Sequence, residues 1–197
     1  SYRGVDIDPA CLNEKVGYSS ISGFLKDSTW FANFNGQIDI QDLTVNPIFH
    51  LPDNSIDFFW TTEVIEHMGR EFIAPWLDDA NRVLRPGGLV YVSTPNHDGS
   101  NEKLPEDHVY EWGFEELKEE LEDESRGWKI QSVVGTFCQL PKLKKAMAQD
   151  EDDHEWRWWP DQYELLEERY GRQFLRVVAA TFYPEVSNNC AWILRKI

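Results

Sequence analysis

Positive charge is the scarcest property of this sequence: 19 Lys and Arg stand against 35 Asp and Glu, a formal net charge of −16 over 197 residues. So acidic a surface repels phosphate backbones, and with no basic stripe to offset it, general nucleic-acid binding is not expected. Long hydrophobic runs are also missing. None approaches the ~20 apolar residues that cross a bilayer, and no secretory signal opens the sequence. Cysteine is sparse: Cys11, Cys138 and Cys190 are odd in number and widely spaced. They fit neither a disulfide framework nor a metal-ligand spacing, and read as small apolar side chains in a reducing, cytoplasmic setting. No Gly-x-Gly-x-x-Gly turn occurs anywhere, and no internal repeat, linker or low-complexity tract divides the chain.

What is present is aromatic and apolar. Nine Trp and eleven Phe mark a globular chain, and residues 1–197 are read as one domain with a sizeable core. Its organising stretch runs from Asp57 to Asn96. Ile56–Thr61 is an apolar run of strand length. Phe72, Ile73, Trp76, Leu77, Ala80, Val83 and Leu84 follow at helical spacing, and Pro86-Gly87-Gly88 is read as the helix stop. Leu89–Ser93 is a second apolar run. Strand, helix and strand without a hairpin signal predict a parallel crossover buried on both faces, the unit of a doubly wound α/β sheet.

Ligands of such sheets gather at the carboxyl ends of the strands. There the sequence places Glu63, Glu66 and His67, which share one face if a helical turn begins at Glu63. Two carboxylates and an imidazole on one face are costly together unless something positive sits between them.

The order of Pro52-Asp-Asn-Ser-Ile-Asp57, Glu63-Val-Ile-Glu-His67, Arg82-Val-Leu-Arg-Pro-Gly-Gly88 and Ser93-Thr-Pro-Asn96 resembles the class I S-adenosylmethionine-dependent methyltransferases. It is most similar to the branch containing the ubiquinone-pathway O-methyltransferases. The resemblance runs from about Tyr2 to Leu143. It implies a Rossmann-like fold and S-adenosylmethionine as cofactor. Asp6 would bind the ribose hydroxyls, Ile7 would lie against the adenine, Asp42 and the Leu43 backbone would meet the adenine edge, and Thr61 would line the cofactor side of its strand. On the residues alone, Asp6 and Asp42 are equally acids at a strand end and a loop start. The run Glu63-x-x-Glu66-His67, followed downstream by His108 before Tyr110-Glu111-Trp112, is similar to the metal-dependent 2′-O-methyltransferases of small-RNA ends. That likeness implies a divalent metal at Glu63, Glu66, His67 and His108, with Mn, Fe, Co or Zn better suited than Mg. Without a metal, His67 and His108 are the candidate catalytic bases. Read without the family, His67 caps a turn and His108 belongs to a loop. His50, His97 and His154 lack such company and read as surface residues.

One departure is plain. Family members carry a first strand and a glycine-rich turn upstream of the strand at Tyr2–Asp8, between the second and fourth strands of the sheet. Neither is here, so either an N-terminal segment precedes the numbered chain or something else fills the slot. Elsewhere Pro9–Gly17 reads as a helix, Gln37–Leu43 as a short strand, and Phe114, Leu117 and Leu121 as a helix face. Trp128–Gly135, Phe174–Phe182 and Ala191–Leu194 read as further strands, and residues 144–175, with the aromatic run Glu155–Tyr163, as a cap or insert. The expected function is methyl transfer to a hydroxyl of a small molecule, lipid precursor or sugar. The alternatives are an RNA-terminal 2′-O-methyltransferase and an inactive scaffold that binds a protein partner.

Overall fold

The computed structural model describes residues 3–6, 37–40, 42–43, 49–97, 104–149 and 162–197. Its contacts form two compact units, Ser1–Ile48 and Phe49–Ile197. In the first, β1 (Arg3–Asp6) and β2 (Gln37–Ile40) pair in parallel, with Asp6 opposite Ile40. Ile7, the helix expected at Pro9–Gly17 and most of the aromatic run at Glu155–Tyr163 lie outside the described residues.

The second unit is built on a four-stranded mixed sheet. Strand β3 (Ile56–Thr62) leads through helix α1 (Ile73–Val83) to β4 (Leu84–Pro95), and β3 and β4 are parallel, as a crossover requires. The predicted stripe explains the helix: Ile73, Trp76, Leu77, Ala80 and Val83 are all buried on one side. Phe59 meets Trp76 at 5.7 Å and Phe49 at 4.9 Å between ring centroids, so β3, α1 and the loop before β3 share one aromatic core. Arg82 on α1 clamps that loop, donating to the Leu51 and Phe49 carbonyls at 2.8 and 2.9 Å and to Asp53 at 2.7 Å. Hydrogen bonds to Asp79 and Asp53 raise its pKa further.

Pro86-Gly87-Gly88 does not stop the helix. The chain turns extended already at Leu84, which is buried and pairs with Ile56, and the Pro-Gly-Gly segment lies inside β4 beside a register shift between Ile56 and Phe58. Gly87 takes φ +78°, a left-handed conformation that the irregular ladder needs and glycine adopts without strain. Lys196 covers the true helix end, its ammonium donating to the carbonyls of Asn81 at 2.6 Å and Leu84 at 2.8 Å.

The remaining elements are α2 (Phe114–Leu121), β5 (Trp128–Gly135), α3 (Leu140–Gln149), α4 (Gln162–Tyr170), α5 (Arg172–Ala179) and β6 (Asn189–Lys196). The sheet order is β3-β4-β6-β5, with β6 antiparallel to both neighbours. The expected strand at Phe174–Phe182 is instead α5 and its following turn. Its aromatic and β-branched content imitates a strand, but Leu175 and Ala179, one helical turn apart, are the pair it buries. They join Leu143, Met147, Tyr163 and Tyr183 in a second core cluster. Cys138 and Cys190 are buried, and burial pushes their thiols up to about 11 and about 12, so both stay protonated near neutrality.

Nor is β3 buried on both faces. Among the described residues it has a strand partner on one side only, and Phe58 and Trp60 are 50% and 65% exposed. No helix among the described residues is long and apolar enough to cross a membrane.

The core assignment predicts unequal costs for the same substitution. Leu77→Ala, at a fully buried position, should lose about 2–5 kcal/mol, through lost transfer energy plus a cavity. Leu165→Ala, at a position 58% exposed, should stay within about 0.5 kcal/mol. Urea denaturation of the two variants makes the comparison.

Candidate active site

The carboxyl end of β3 makes an abrupt turn. Glu63 adopts φ +51°, uncommon for a residue with a side chain, and its N–H donates to the Ser93 carbonyl at 2.9 Å. This single left-handed residue sends the chain away from the sheet into a 3₁₀ turn, Ile65–His67. Ile65 and Glu66 point inward and His67 stays partly exposed.

The two glutamates then part. Glu63 accepts from Ser93 Oγ at 3.0 Å and Asn189 Nδ2 at 2.8 Å. Glu66 is fully buried. Its Oε2 accepts from Thr94 Oγ1 at 2.9 Å, while Oε1 is buried with no hydrogen-bond partner among the described residues. Burial, the largest cause, pushes this carboxyl above its ordinary value of 4.5. Its hydrogen bonds resist that rise, the charge of Glu63 adds to it and His67 opposes it.

A strap closes over the turn. The N–H groups of Val109 and Tyr110 both donate to the Glu66 carbonyl, at 2.8 and 3.0 Å, and the N–H of His97 holds the Trp112 carbonyl at 2.8 Å. Arg70 lies over the Tyr110 and Trp112 rings at 5.8 and 5.7 Å and pairs with Glu116, which also accepts from the Tyr110 hydroxyl at 2.7 Å. The strap delivers His108 against His67, with ring centroids 5.0 Å apart and planes at 88°.

Both imidazoles are oriented through Nδ1. That of His67 lies 2.7 Å from the Asp107 carbonyl, and that of His108 lies 2.6 Å from Glu111 Oε1. Each partner accepts, so each Nδ1 carries a proton, and in the neutral ring each Nε2 is left with the lone pair. One ligand atom from each of Glu66, His67 and His108 falls within 4.8 Å of the others. A buried carboxylate oxygen lacking a partner, beside two imidazoles with free lone pairs, is a donor set for a cation or for a substrate proton.

Of the residues singled out in the sequence, the structure brings together Glu66, His67 and His108. Glu63 is adjacent, but its carboxylate is engaged by Ser93 and Asn189 and stands outside that group. Thr61 is buried in β3 opposite Val92. In the first unit, Asp6 closes β1, and Asp42 and Leu43 follow β2, both half-buried. His97 is not the plain surface residue expected: it pairs with Gly113 and its Nδ1 stands 3.8 Å from Glu111 Oε2. Sequence reasoning also missed Ser93, Thr94, Asn189 and Glu111. For Glu111 a signal existed, a carboxylate three residues after His108; for Asn189, 126 positions from Glu63, none did.

Comparison with known proteins gives a consistent picture. Residues 2–92 match a family model described as a methyltransferase domain. A Mycolicibacterium smegmatis protein named "Probable S-adenosylmethionine-dependent methyltransferase" is 37% identical over 91 residues, which cover 44% of this chain. That match spans about a third (34%) of the relative's own length. A solved S-adenosylmethionine-dependent methyltransferase from Archaeoglobus fulgidus aligns with a TM-score of 0.53 at 15% identity, covering 98% of this chain and 75% of that one. One from Mesorhizobium loti aligns at 0.52 and 13% identity, covering 100% and 81%. At these identities the two structures establish a shared fold.

Burying Glu66 with one oxygen lacking a partner among the described residues has a measurable cost. A carboxyl whose pKa is raised by folding binds its proton more tightly in the native state, so stability falls as pH rises past the ordinary 4.5. In chelator, Glu66→Gln should therefore melt above wild type at neutral pH, with the gap narrowing as pH falls towards 4.5. Thermal melts across that range check both the sign and the pH trend.

Proposed function

We propose that this chain carries a class I S-adenosylmethionine-dependent methyltransferase domain and moves the sulfonium methyl group to a hydroxyl oxygen of a small molecule, lipid precursor or sugar, with a divalent metal assisting. The observation that carries the reading is the convergence of Glu66, His67 and His108, with Glu66 Oε1 buried and without a partner among the described residues.

These residues fit a metal. One carboxylate oxygen and two imidazole nitrogens, each imidazole already donating its other N–H, form a donor set suited to Mn, Fe, Co or Zn and less to Mg. A divalent ion held by Glu66, His67 and His108 would supply Lewis acidity that lowers the pKa of an acceptor hydroxyl. The chain's own part is positioning. Thr94 fixes the Glu66 carboxylate and the strap fixes His108, so the acceptor meets a rigid floor. Without a metal, the Nε2 of His67 or His108 is the candidate to take the proton that the hydroxyl loses as the methyl–oxygen bond forms and the methyl–sulfur bond breaks. By the family resemblance, Asp6 would take the ribose hydroxyls, and Asp42 and the Leu43 backbone would meet the adenine edge. Buried, unpaired Cys138 and Cys190 support a cytoplasmic setting.

A second reading, methyl transfer to a terminal RNA 2′-oxygen, draws on the approach of His108 to Glu66 and His67 and on Glu111-Trp112 beside it. The −16 charge opposes it. Gel-shift with a small-RNA duplex separates the two: salt-sensitive retention at micromolar protein promotes the RNA reading, and no retention is expected.

Calorimetry with the full-length protein tests the cofactor. Asp6→Ala should lose about 1–3 kcal/mol of S-adenosylmethionine affinity through unpaired ribose hydroxyls. If wild type binds none, the domain is a scaffold for a protein partner. Turnover tests the metal. Chelation should abolish it while leaving cofactor affinity largely intact, Mn or Co should restore it, and Glu66→Ala and His108→Ala should each behave like chelated wild type.

A further inference from the structure

We infer that Glu111 is a positioning residue for the Glu66, His67 and His108 group: its carboxylate keeps the His108 proton on Nδ1 and so turns the Nε2 lone pair towards the group. This rests on the metal reading above.

The two imidazoles are not held alike. His67 donates to a main-chain carbonyl, a partner that side-chain substitution leaves in place, whereas His108 depends on the side chain of Glu111. That carboxylate is itself well fixed. Glu111 and His108 are only 14% and 15% exposed, and neighbouring Trp112 is buried and tied to the His97 N–H. No other described acceptor is paired with His108 Nδ1. Neutral imidazole has two tautomers of similar energy, and the partner at one nitrogen chooses between them. With Glu111 removed, His108 is free to carry its proton on Nε2. An N–H would then face the cluster, able to donate to a carboxylate but unable to bind a cation. The second Glu111 oxygen stands 3.8 Å from His97 Nδ1, well beyond the 2.6 Å to His108, so among the described residues His108 is the main side-chain partner of that carboxylate.

The test reads the tautomer first. Imidazole ¹⁵N spectra of the full-length protein, taken in chelator at a pH where the rings are neutral, should show His67 and His108 of wild type both protonated at Nδ1. Glu111→Ala should move His108 towards the Nε2–H form and leave His67 unchanged. Glu111→Asp, which withdraws the oxygen by one methylene, should move it partway and serves if the alanine variant fails to fold. Glu111→Gln, whose amide oxygen still accepts, should restore the wild-type pattern. Mn²⁺ titration by electron paramagnetic resonance gives the second readout: Glu111→Ala should weaken binding about 10–100-fold, as loss of an outer partner does elsewhere, and Glu111→Gln should recover most of it. An unchanged His108 spectrum in both shortened variants overturns the assignment. Wild type that binds no Mn²⁺ overturns the metal reading instead, while the spectra still decide the role of Glu111.

Discussion

The buried carboxylate of Glu66 is the constraint around which the second unit is arranged. A desolvated acid with one oxygen unpartnered among the described residues costs free energy, and neighbours that bind its other oxygen and its main-chain carbonyl keep it in place. Thr94 on β4 takes one oxygen, and two strap N–H groups take its carbonyl. One residue thus ties the turn after β3, the end of β4 and the strap to each other. Such unrelieved polarity in a native interior marks a place where a ligand is expected more often than a place built for stability.

The sheet edge supports this by dividing its labour. Ser93 and Thr94 are consecutive on β4, so their side chains leave opposite faces, and each hydroxyl serves a different glutamate. Glu63 spends its acidity on Ser93 and Asn189, linking β3 to β4 and β6 and offsetting the strain of its left-handed backbone. Glu66 is left for chemistry. The sequence motif presents two equivalent carboxylates; the turn makes them unlike.

The crossover, the α1 stripe, β5 and the core of α2 were legible because their periodicity is local. The exchange of strand for helix at α5 shows where local content misleads: Phe174, Val177 and Val178 suit either state, and only the packing of Leu175 and Ala179 onto a distant cluster decides. The Pro86-Gly87-Gly88 segment misled for a related reason. Its residues are helix-stop chemistry, but pairing with β3 claims the chain two residues earlier, at Leu84. In the site, Glu66, His67 and His108 stood out by type and spacing. Thr94, which orients Glu66, was hidden, as was Asn189, which engages Glu63, since both arrive through the register of β4 and β6, and register follows from the whole sheet.

The outer side of β3 has a colloidal consequence. Among the described residues β3 is an edge strand, and one that also shows Phe58 and Trp60 to solvent is the kind of surface on which a second chain can add itself. The large negative charge is the counterweight, since molecules that repel at long range rarely bring such edges together. That protection is ionic and therefore conditional. High salt shortens its reach to a few ångströms, and acid near the isoelectric point of about 4.6 removes its source. The molecule's dispersal in solution is thus set by its surroundings, even where its fold is untouched.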